Sequence, residues 1–478
     1  MLKRMMTNSA IYALGDIAIR FSGLLLIPLY TRYLTPEDYG LLSISNTVTA
    51  ILTIVMMLSL MAAFTRFYFD RPNHAERQSL FSTLLYMVMG WGSVLAMLLL
   101  FFGESLLKPW ITTPFHPYLS LAVGIALAGL VPQMLLATFQ VQEQAKAYVA
   151  FTLVTFLCTT SGVIYGVVVL QKGAVGSLEG TFVGTILMAL LALLLLKRSW
   201  LIRRWQGDVV KPALRYSLPL VPHLLLVWVM MGSDLFILQY YRPMSEVGIY
   251  SLGYTLGFAF FVVTGALSRA WSPIYYRYAD DPKQQRELSR VVTTMVGLML
   301  VVVSCSLLFL KEAVALITVE AFYAIALIIP WVGLAALFHV IYISYVNMLF
   351  YDKRNSWVAM ASAGAALTNI GLNIMLVPEY GMQAAAITTA LAYLLQMGVV
   401  AGLASRLRVL PKLSSKLLYV LSACVALSLC GYGVDQWHLQ WFGAVIKLGL
   451  MLALLGALYY GGVGRWLDVK LLIRHQEA

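Results

Sequence analysis

Long apolar runs separated by short polar connections repeat along the whole chain. A helix needs roughly 20 apolar residues to cross a bilayer core of about 30 Å. Measured by that length, the chain predicts fourteen membrane-spanning helices joined by short loops. We therefore expect an all-α integral membrane protein with no separate extramembrane domain. The predicted spans are 10–33, 41–65, 80–102, 119–140, 148–170, 176–196, 216–240, 247–268, 291–310, 322–348, 357–377, 384–404, 417–433 and 442–463.

The composition agrees with this pattern. Hydrophobic residues make up 61% of the 478 residues and charged residues only 11%, whereas about a quarter of the residues in soluble domains are charged. The cysteines lie in apolar runs without the spacing of a metal or redox site, which indicates core side chains and no disulfide framework. They are Cys158, Cys305, Cys424 and Cys430.

Positive charge is distributed unequally between the predicted connections. Most of the 33 Lys and Arg residues lie near the termini and in the even-numbered connections. Because cytoplasmic loops retain positive charge during insertion, both termini are predicted to be cytoplasmic. The net charge of +12 is then explained by topology, and no nucleic-acid partner is expected. The odd-numbered connections hold only Arg32, Lys108, Lys172, Arg242 and Lys311.

A short pattern at the start of the second predicted helix recurs at the start of the eighth. Residues 39–43 read YGLLS and residues 247–251 read VGIYS, which separates Gly40 from Gly248 by 208 positions. Because six helices separate the copies, both halves are expected to run in the same direction, related by an axis along the membrane normal. The same offset relates Gly173 to Gly381, Thr181 to Thr389 and Lys146 to Arg354.

The repeat predicts two six-helix bundles around a central cavity. An N-terminal bundle is expected over 1–200 and a C-terminal bundle over 216–405, joined by a cytoplasmic linker over 201–215. Helices 13 and 14, within 406–478, lie outside the repeat.

Two stretches of the chain carry a family resemblance. Residues 8–12 (NSAIY) and 28–40 (PLYTRYLTPEDYG) resemble the start of the polysaccharide transporters, which include the O-antigen and capsule flippases. Residues 216–222 (YSLPLVP), followed by Ser233, Asp234 and the second repeat copy, are similar to the start of that family's second bundle. This family lies within the multidrug/oligosaccharidyl-lipid/polysaccharide exporter superfamily.

The resemblance implies a function and a location. It implies export of an undecaprenyl-pyrophosphate-linked oligosaccharide repeat unit from the inner to the outer leaflet by alternating access, and no enzymatic activity. The expected location is a bacterial inner membrane. Membrane lipids are expected partners, together with a polymerase of the same pathway.

Ionisable residues inside predicted spans are candidates for function, because each one is unfavourable in hydrocarbon. Asp16 and Arg20 lie four residues apart on one face of the first helix, and Arg20 lies near the midplane. The Arg20 guanidinium matches the oxygens of a pyrophosphate. The alternative is a self-neutralising pair that fixes helix packing. Arg66 and Arg269, at the inner ends of helices 2 and 8, are candidates for a basic substrate entrance. The alternative is that they only contribute to the positive charge that orients the protein in the membrane.

Asp234 and Glu179 are the candidates for binding a coupling ion. Both lie in the outer half of predicted spans, where a carboxylate can bind a proton or sodium ion or can instead reach interfacial water. No other cofactor and no metal site is expected. His339 is a candidate for titration or for packing, and Lys447 is expected to snorkel to the outer interface.

Other functions compete with lipid-linked oligosaccharide flipping. A cation-coupled exporter of amphiphilic drugs calls for an acidic cavity, whereas the deepest predicted charge is that of Arg20. A flippase for the peptidoglycan lipid precursor shares the pyrophosphate and is not separated by charge. A membrane polymerase or ligase would need a large outer loop, and no GxxxxGK[ST] nucleotide loop occurs in the chain.

Overall fold

The computed structural model describes residues 26–202, 205–411, 413, 415, 417–436 and 440–460. The regular structure of these residues is helical throughout, which confirms the predicted all-α fold. The chain divides into two compact units, Met1–Gly248 and Ile249–Ala478. The expected division at 1–200, 201–215, 216–405 and 406–478 stays a prediction.

The first unit consists of nine complete helices and the start of a tenth within the described residues. The nine are α1 Ile27–Tyr33, α2 Pro36–Met57, α3 Leu60–Tyr68, α4 His74–Leu107, α5 Ser120–Val141, α6 Ala145–Ile164, α7 Gly173–Ser199, α8 Gly207–Ser217 and α9 Leu220–Tyr241.

The boundary between the units lies within helix α10, and the second unit begins in that helix. The helices are α10 Met244–Gly257, α11 Ala259–Tyr278, α12 Gln285–Leu308, α13 Leu310–Ile317, α14 Ile329–Tyr351, α15 Asn355–Ser405, α16 Leu417–Gln436 and α17 Gln440–Tyr460.

Nine helical ranges in the described residues are long and apolar enough to cross a membrane. Every predicted span from the second to the fourteenth overlaps a helix, and α1 covers the end of the first. The residues before 26 lie outside the described part. The count of fourteen membrane spans therefore stays a prediction.

The second predicted span is interrupted. A single helix was expected over 41–65, but Leu58 and Ser59 have left-handed backbone angles, with φ of 49° and 54°. The chain therefore ends α2 at Met57 and begins α3 at Leu60. Hydropathy could not reveal this break, because neither residue is a glycine or proline; Ser59 is buried and Leu58 is partly buried.

Asp38 caps two helices. Its Oδ2 accepts hydrogen bonds from the backbone N–H and the hydroxyl of Thr35, at 3.1 and 2.9 Å, at the start of α2. Its Oδ1 accepts the backbone N–H of Ala174, at 3.0 Å, in the first turn of α7. The carboxylate thus satisfies amides at two helix N-termini, where negative charge is also favoured by the helix dipole.

The repeated glycines occupy places where a side chain would not fit. A Cβ at Gly40 would collide with the backbone carbonyl of Met244, and one at Gly248 would collide with that of Pro36. The starts of α2 and α10 therefore pack backbone against backbone. This contact explains why glycine recurs in the two copies of the pattern.

Two turns also support the internal repeat. Gly173 and Gly381, which are 208 positions apart, both have positive φ, at 55° and 60°. Glu143 and Lys353 share a φ of 56° in the turns that follow α5 and α14, but they are 210 positions apart. The pairing of Lys146 with Arg354 is therefore shifted by two residues, because an offset of 208 does not hold at this turn.

Helix α15 is a hairpin whose direction changes at Gly381. Its two arms are joined by buried polar side chains: the Thr388 hydroxyl donates to Asn373 Oδ1 at 2.6 Å. Asn369 donates to the Thr389 hydroxyl at 3.4 Å. Both asparagines stabilise helix packing inside the membrane, where their polar groups need partners.

Arg408 links the ends of three helices on one side of the second unit. Its guanidinium binds Asp352 through two hydrogen bonds, at 2.7 and 2.9 Å, and Asp280 through one at 2.8 Å. It also lies 4.6 Å from the ring centroid of Tyr351. Hydrogen bonds from Tyr351 and Arg408 lower the pKa of Asp280. This network connects α11, α14 and the segment after α15.

Lys447 does not snorkel as expected. Its side chain is fully buried, and its ammonium donates to both carboxylate oxygens of Glu312, at 2.8 and 3.0 Å. Glu312 lies on α13 and Lys447 on α17. Apolar packing of α16 against Leu308 lies in the same part of the unit. An ion pair thus ties the last helix of the described residues to the second unit.

We predict that Asp38→Ala destabilises the protein by about 2 kcal/mol, because amides at two helix N-termini lose their acceptor. Thermal unfolding of the detergent-purified protein measures the effect. Glu37→Ala is the control, since Glu37 is an exposed acid in the same helical turn. Equal melting temperatures for the two variants would contradict the double-cap interpretation.

We also predict that Lys447→Met lowers the free energy of unfolding by about 3 kcal/mol, because it leaves the Glu312 carboxylate without its partner. The double variant Lys447→Met/Glu312→Met should recover most of the loss, since no charge then remains at the site. Unfolding of both variants and the wild type in one detergent tests this. A double variant less stable than the single one would show that the explanation is wrong.

Candidate functional site

The structure assigns different surroundings to the residues expected to bind substrate. Asp16 and Arg20 lie outside the described residues, so their proposed role stays a prediction. Arg66 lies at the end of α3 and pairs with Asp70 at 2.8 Å, with more than half of each side chain exposed. Such an exposed pair contributes little to stability. The neighbouring carboxylate offsets the positive charge that Arg66 would offer to an anionic ligand.

Arg269 does not end its helix. The predicted span closed at residue 268, because Ser268, Arg269 and Ser272 interrupt the apolar run. Helix α11 instead continues to Tyr278, nine residues or about 13 Å beyond Arg269. The Arg269 side chain is exposed and has no ion pair with any residue that the structure describes. Arg269 lies near the inner end of the apolar range Met244–Tyr278, which is longer than a bilayer core requires, so its exposed guanidinium is accessible to water or to an anionic ligand.

The Arg269 guanidinium bends back along its own helix. Its Nη1 lies 3.7 Å from the position that a Cβ on Gly265 would occupy. Phe261, Gly265 and Arg269 follow one another at intervals of four residues and therefore lie on the same side of α11. The backbone positions of Phe261 and Arg269 are about 12 Å apart along the helix, and the guanidinium lies between them, beside Gly265.

Four rings from three helices meet at the Phe261 end of this face. We call Phe261, His339, Tyr342 and Tyr393 the His339 ring cluster. The His339 ring lies 5.4 Å from each of the other three rings, centroid to centroid, and stacks on that of Tyr342. All four side chains are partly exposed. The cluster can therefore offer aromatic faces to a ligand while α11, α14 and α15 hold it in place.

His339 adds a polar group to these rings. Its Nδ1 is buried and has no hydrogen-bond partner within the described part of the chain. A buried imidazole nitrogen is normally satisfied, so an unpartnered one is a candidate for binding a ligand hydroxyl or water. Sequence reasoning had identified His339 but not its three aromatic neighbours. No local pattern points to them, because they come from separate helices.

The candidates for a coupling ion differ from each other. Glu179 forms an ion pair with Lys172 at 2.7 Å, and both side chains are more than two-fifths exposed. Asp234 lies on α9 and is only 5% exposed. Within the described residues, no group of three or more His, Cys, Asp or Glu side chains could hold a metal ion. The roles of Asp234 and Glu179 stay predictions.

Asn347 is engaged in helix packing. Its Oδ1 accepts hydrogen bonds from the hydroxyls of Ser272 and Tyr276, both at 3.3 Å. These bonds join α14 to α11 just beyond Arg269. Asn347 therefore supports the helix that carries the candidate site.

Comparisons with known proteins identify a relative in sequence and similar folds. Over 284 residues the chain is 21% identical to the Lsg locus putative protein 1 of Haemophilus influenzae, covering 58% of this chain and 67% of that protein. Its fold is similar to that of the lipid II flippase MurJ in an inward closed conformation. For that structure the TM-score is 0.71 and the identity 15%, over 95% of this chain and 100% of the other.

A second solved structure has a similar fold. It is the inward-facing conformation of a multidrug resistance MATE family transporter of the MOP superfamily. The TM-score is 0.60 and the identity 12%, over 81% of this chain and 97% of that chain. The fold is thus that of a multi-pass membrane protein, as the apolar helices predict.

Family membership follows from the chain itself. Residues 5–279 match the family described as polysaccharide biosynthesis protein, which is more than half of the chain. The two solved structures with a similar fold are a flippase and a transporter, which agrees with the fold expected from the sequence. This chain belongs to the polysaccharide biosynthesis protein family and has the fold of MOP superfamily transporters.

Proposed function

We propose that this protein is a flippase for an undecaprenyl-pyrophosphate-linked oligosaccharide repeat unit. It moves the unit from the inner to the outer leaflet by alternating access. The observation that carries the proposal is the exposed guanidinium of Arg269, without an acidic partner among the described residues, on a membrane-spanning helix inside the family-matched range.

The chemistry of Arg269 suits the charged part of this substrate. A guanidinium presents forked N–H donors that match two phosphate oxygens, and the bond is strengthened by the opposite charges. Because α11 continues for about 13 Å beyond Arg269, this cation lies within the helix and not at its end. It is therefore held by a rigid element, as a binding group should be.

The His339 ring cluster suits the uncharged part. Ligand sites in proteins combine aromatic side chains with a few placed polar groups. Here the tyrosine hydroxyls and the unpartnered Nδ1 of His339 supply polar atoms beside ring faces. A sugar has both apolar C–H faces and hydroxyls, so it could use both features. The Arg269 guanidinium lies beside Gly265, one helical turn from Phe261, so a sugar next to a bound pyrophosphate would reach the ring cluster.

The membrane potential can drive this transport. When a pyrophosphate with roughly two negative charges moves outward from an inside-negative cell, its free energy falls by about 2.3 kcal/mol per charge per 100 mV. Coupling to a proton or sodium ion is therefore not required by the energetics. If such coupling exists, Asp234 and Glu179 are the candidates: Asp234 is buried, whereas Glu179 is partly exposed and paired with Lys172.

Two other transport functions occur on the same fold. A flippase of the peptidoglycan lipid precursor is the runner-up, because its substrate also carries a pyrophosphate and the MurJ structure has a similar fold. Export of cationic drugs is less well supported, since the unpaired charge at the candidate site is positive. We place the protein in the bacterial inner membrane with both termini cytoplasmic, and a polymerase of the same pathway is the proposed partner.

We predict that Arg269→Ala slows translocation of a fluorescent undecaprenyl-pyrophosphate oligosaccharide at least about tenfold, because a charge-assisted hydrogen bond to phosphate is lost. A leaflet-resolved quenching assay in proteoliposomes measures the rate. Arg269→Lys should recover only part of it, since an ammonium lacks the guanidinium fork.

Arg286→Ala is the matched control. Arg286 is an exposed cation at the start of α12, in the same unit. Its loss should leave the rate within about twofold of wild type, because a solvated surface charge contributes little. An unchanged rate in Arg269→Ala, or an equal loss in Arg286→Ala, would remove Arg269 from the mechanism.

A further inference from the structure

The two arms of the α15 hairpin enclose an apolar groove on the second unit. Its volume is about 330 Å³. Trp357, Met360 and Gly364 line it from the first arm, and Leu395, Val399 and Leu403 line it from the second. The groove therefore lies on a membrane-spanning hairpin and is lined almost entirely by apolar side chains.

The length of the groove corresponds to one leaflet. Trp357 and Ala365 are the outermost lining residues of the first arm, eight residues or about 12 Å apart. Half of a bilayer core is about 15 Å thick. A single hydrocarbon chain from one leaflet would therefore fit the groove along its whole length.

Three cations follow or precede the helix ends at one end of the groove. Lys353 and Arg354 lie directly before the first arm of α15, and Arg406 lies directly after the second. The Arg354 guanidinium is 5.2 Å from the ring centroid of Trp357, so it lies beside a lining residue. All three side chains are exposed, and none forms an ion pair with the residues that the structure describes.

The nearby Arg408 provides a contrast. It is only two residues beyond Arg406 but is fully engaged by Asp352 and Asp280. Acidic side chains are thus available at this end of the unit, yet they neutralise Arg408 and leave the groove cations unpaired. The charge asymmetry of the loops predicts that this end is cytoplasmic.

We propose that the groove binds one acyl chain of an anionic phospholipid, with its phosphate held by Lys353, Arg354 and Arg406. Basic sites between membrane helices on the cytoplasmic side recognise anionic lipid headgroups by this combination of charge and shape. A second copy of the chain would bring three like charges against these cations. The long undecaprenyl chain of the transport substrate exceeds one leaflet. The site is independent of the proposed transport function.

Native mass spectrometry of the detergent-purified full chain tests the proposal. Phosphatidylglycerol and phosphatidylcholine with the same acyl chains are added in turn. The wild type should retain one phosphatidylglycerol more tightly than any phosphatidylcholine. The variant Lys353→Gln/Arg354→Gln/Arg406→Gln should bind it about 100-fold more weakly, at about fivefold for each lost cation.

A second variant tests the groove itself. A Cβ at Gly364 would meet nothing within 4 Å, so Gly364→Leu fills the groove without disturbing the helix backbone. This variant should lose the tightly bound lipid. Gly371→Leu is the matched control, because Gly371 is equally open, lies on the same arm and does not line the groove. Its lipid binding should equal that of the wild type.

A third variant controls for the loss of positive charge in general. It is Arg277→Gln/Lys283→Gln/Arg286→Gln, which removes three exposed cations elsewhere in the same unit. This variant should keep its preference for phosphatidylglycerol. The proposal is overturned if this control variant loses as much binding as Lys353→Gln/Arg354→Gln/Arg406→Gln does. It is also overturned if Gly364→Leu binds lipid normally. Displacement of the lipid by undecaprenyl phosphate would assign the groove to the transport substrate. A dimer abolished by Gly364→Leu would assign it to a second copy.

Discussion

Hydrocarbon cannot solvate a charge or an unpaired backbone amide, and the arrangement of this protein follows from that constraint. At the helix ends, Asp38 satisfies backbone amides by accepting hydrogen bonds from the starts of α2 and α7. The Glu312 carboxylate neutralises the charge of Lys447, whose side chain is completely buried. Buried Asn and Thr side chains do the same between the arms of α15. Where charges are paired in this way, they stabilise packing and are not available to a ligand.

Ion pairing therefore distinguishes cations that stabilise helix packing from cations that are free to bind a ligand. Arg408 is bound by two carboxylates and connects helix ends. Arg269 is exposed on α11, a helix that also contributes Phe261 to a cluster of aromatic rings. This difference separates a structural role for Arg408 from the substrate-binding role that we propose for Arg269.

The hydropathy pattern predicted the helices well, because apolar length is a local property of the sequence. The repeat was also visible, and Gly173 and Gly381 show why: both have left-handed backbone angles that favour glycine. Contacts between distant residues could not be predicted. The bond from Ala174 to Asp38 and the pair of Lys447 with Glu312 each join residues more than 130 positions apart. The aromatic neighbours of His339 come from other helices, and the continuation of α11 past Arg269 was hidden by its polar residues. Asp16 and Arg20 lie outside the described residues.

The most direct test of the transport assignment is the direction and voltage dependence of wild-type flux. Fluorescent undecaprenyl-pyrophosphate oligosaccharide would be followed between leaflets of proteoliposomes while an ion gradient imposes a potential of either sign. Movement of the pyrophosphate away from the negative side should require the protein and should slow when the potential is reversed, since two negative charges cross the membrane. No protein-dependent movement at either sign, together with extrusion of a cationic dye by the same vesicles, would contradict the account and favour a drug exporter.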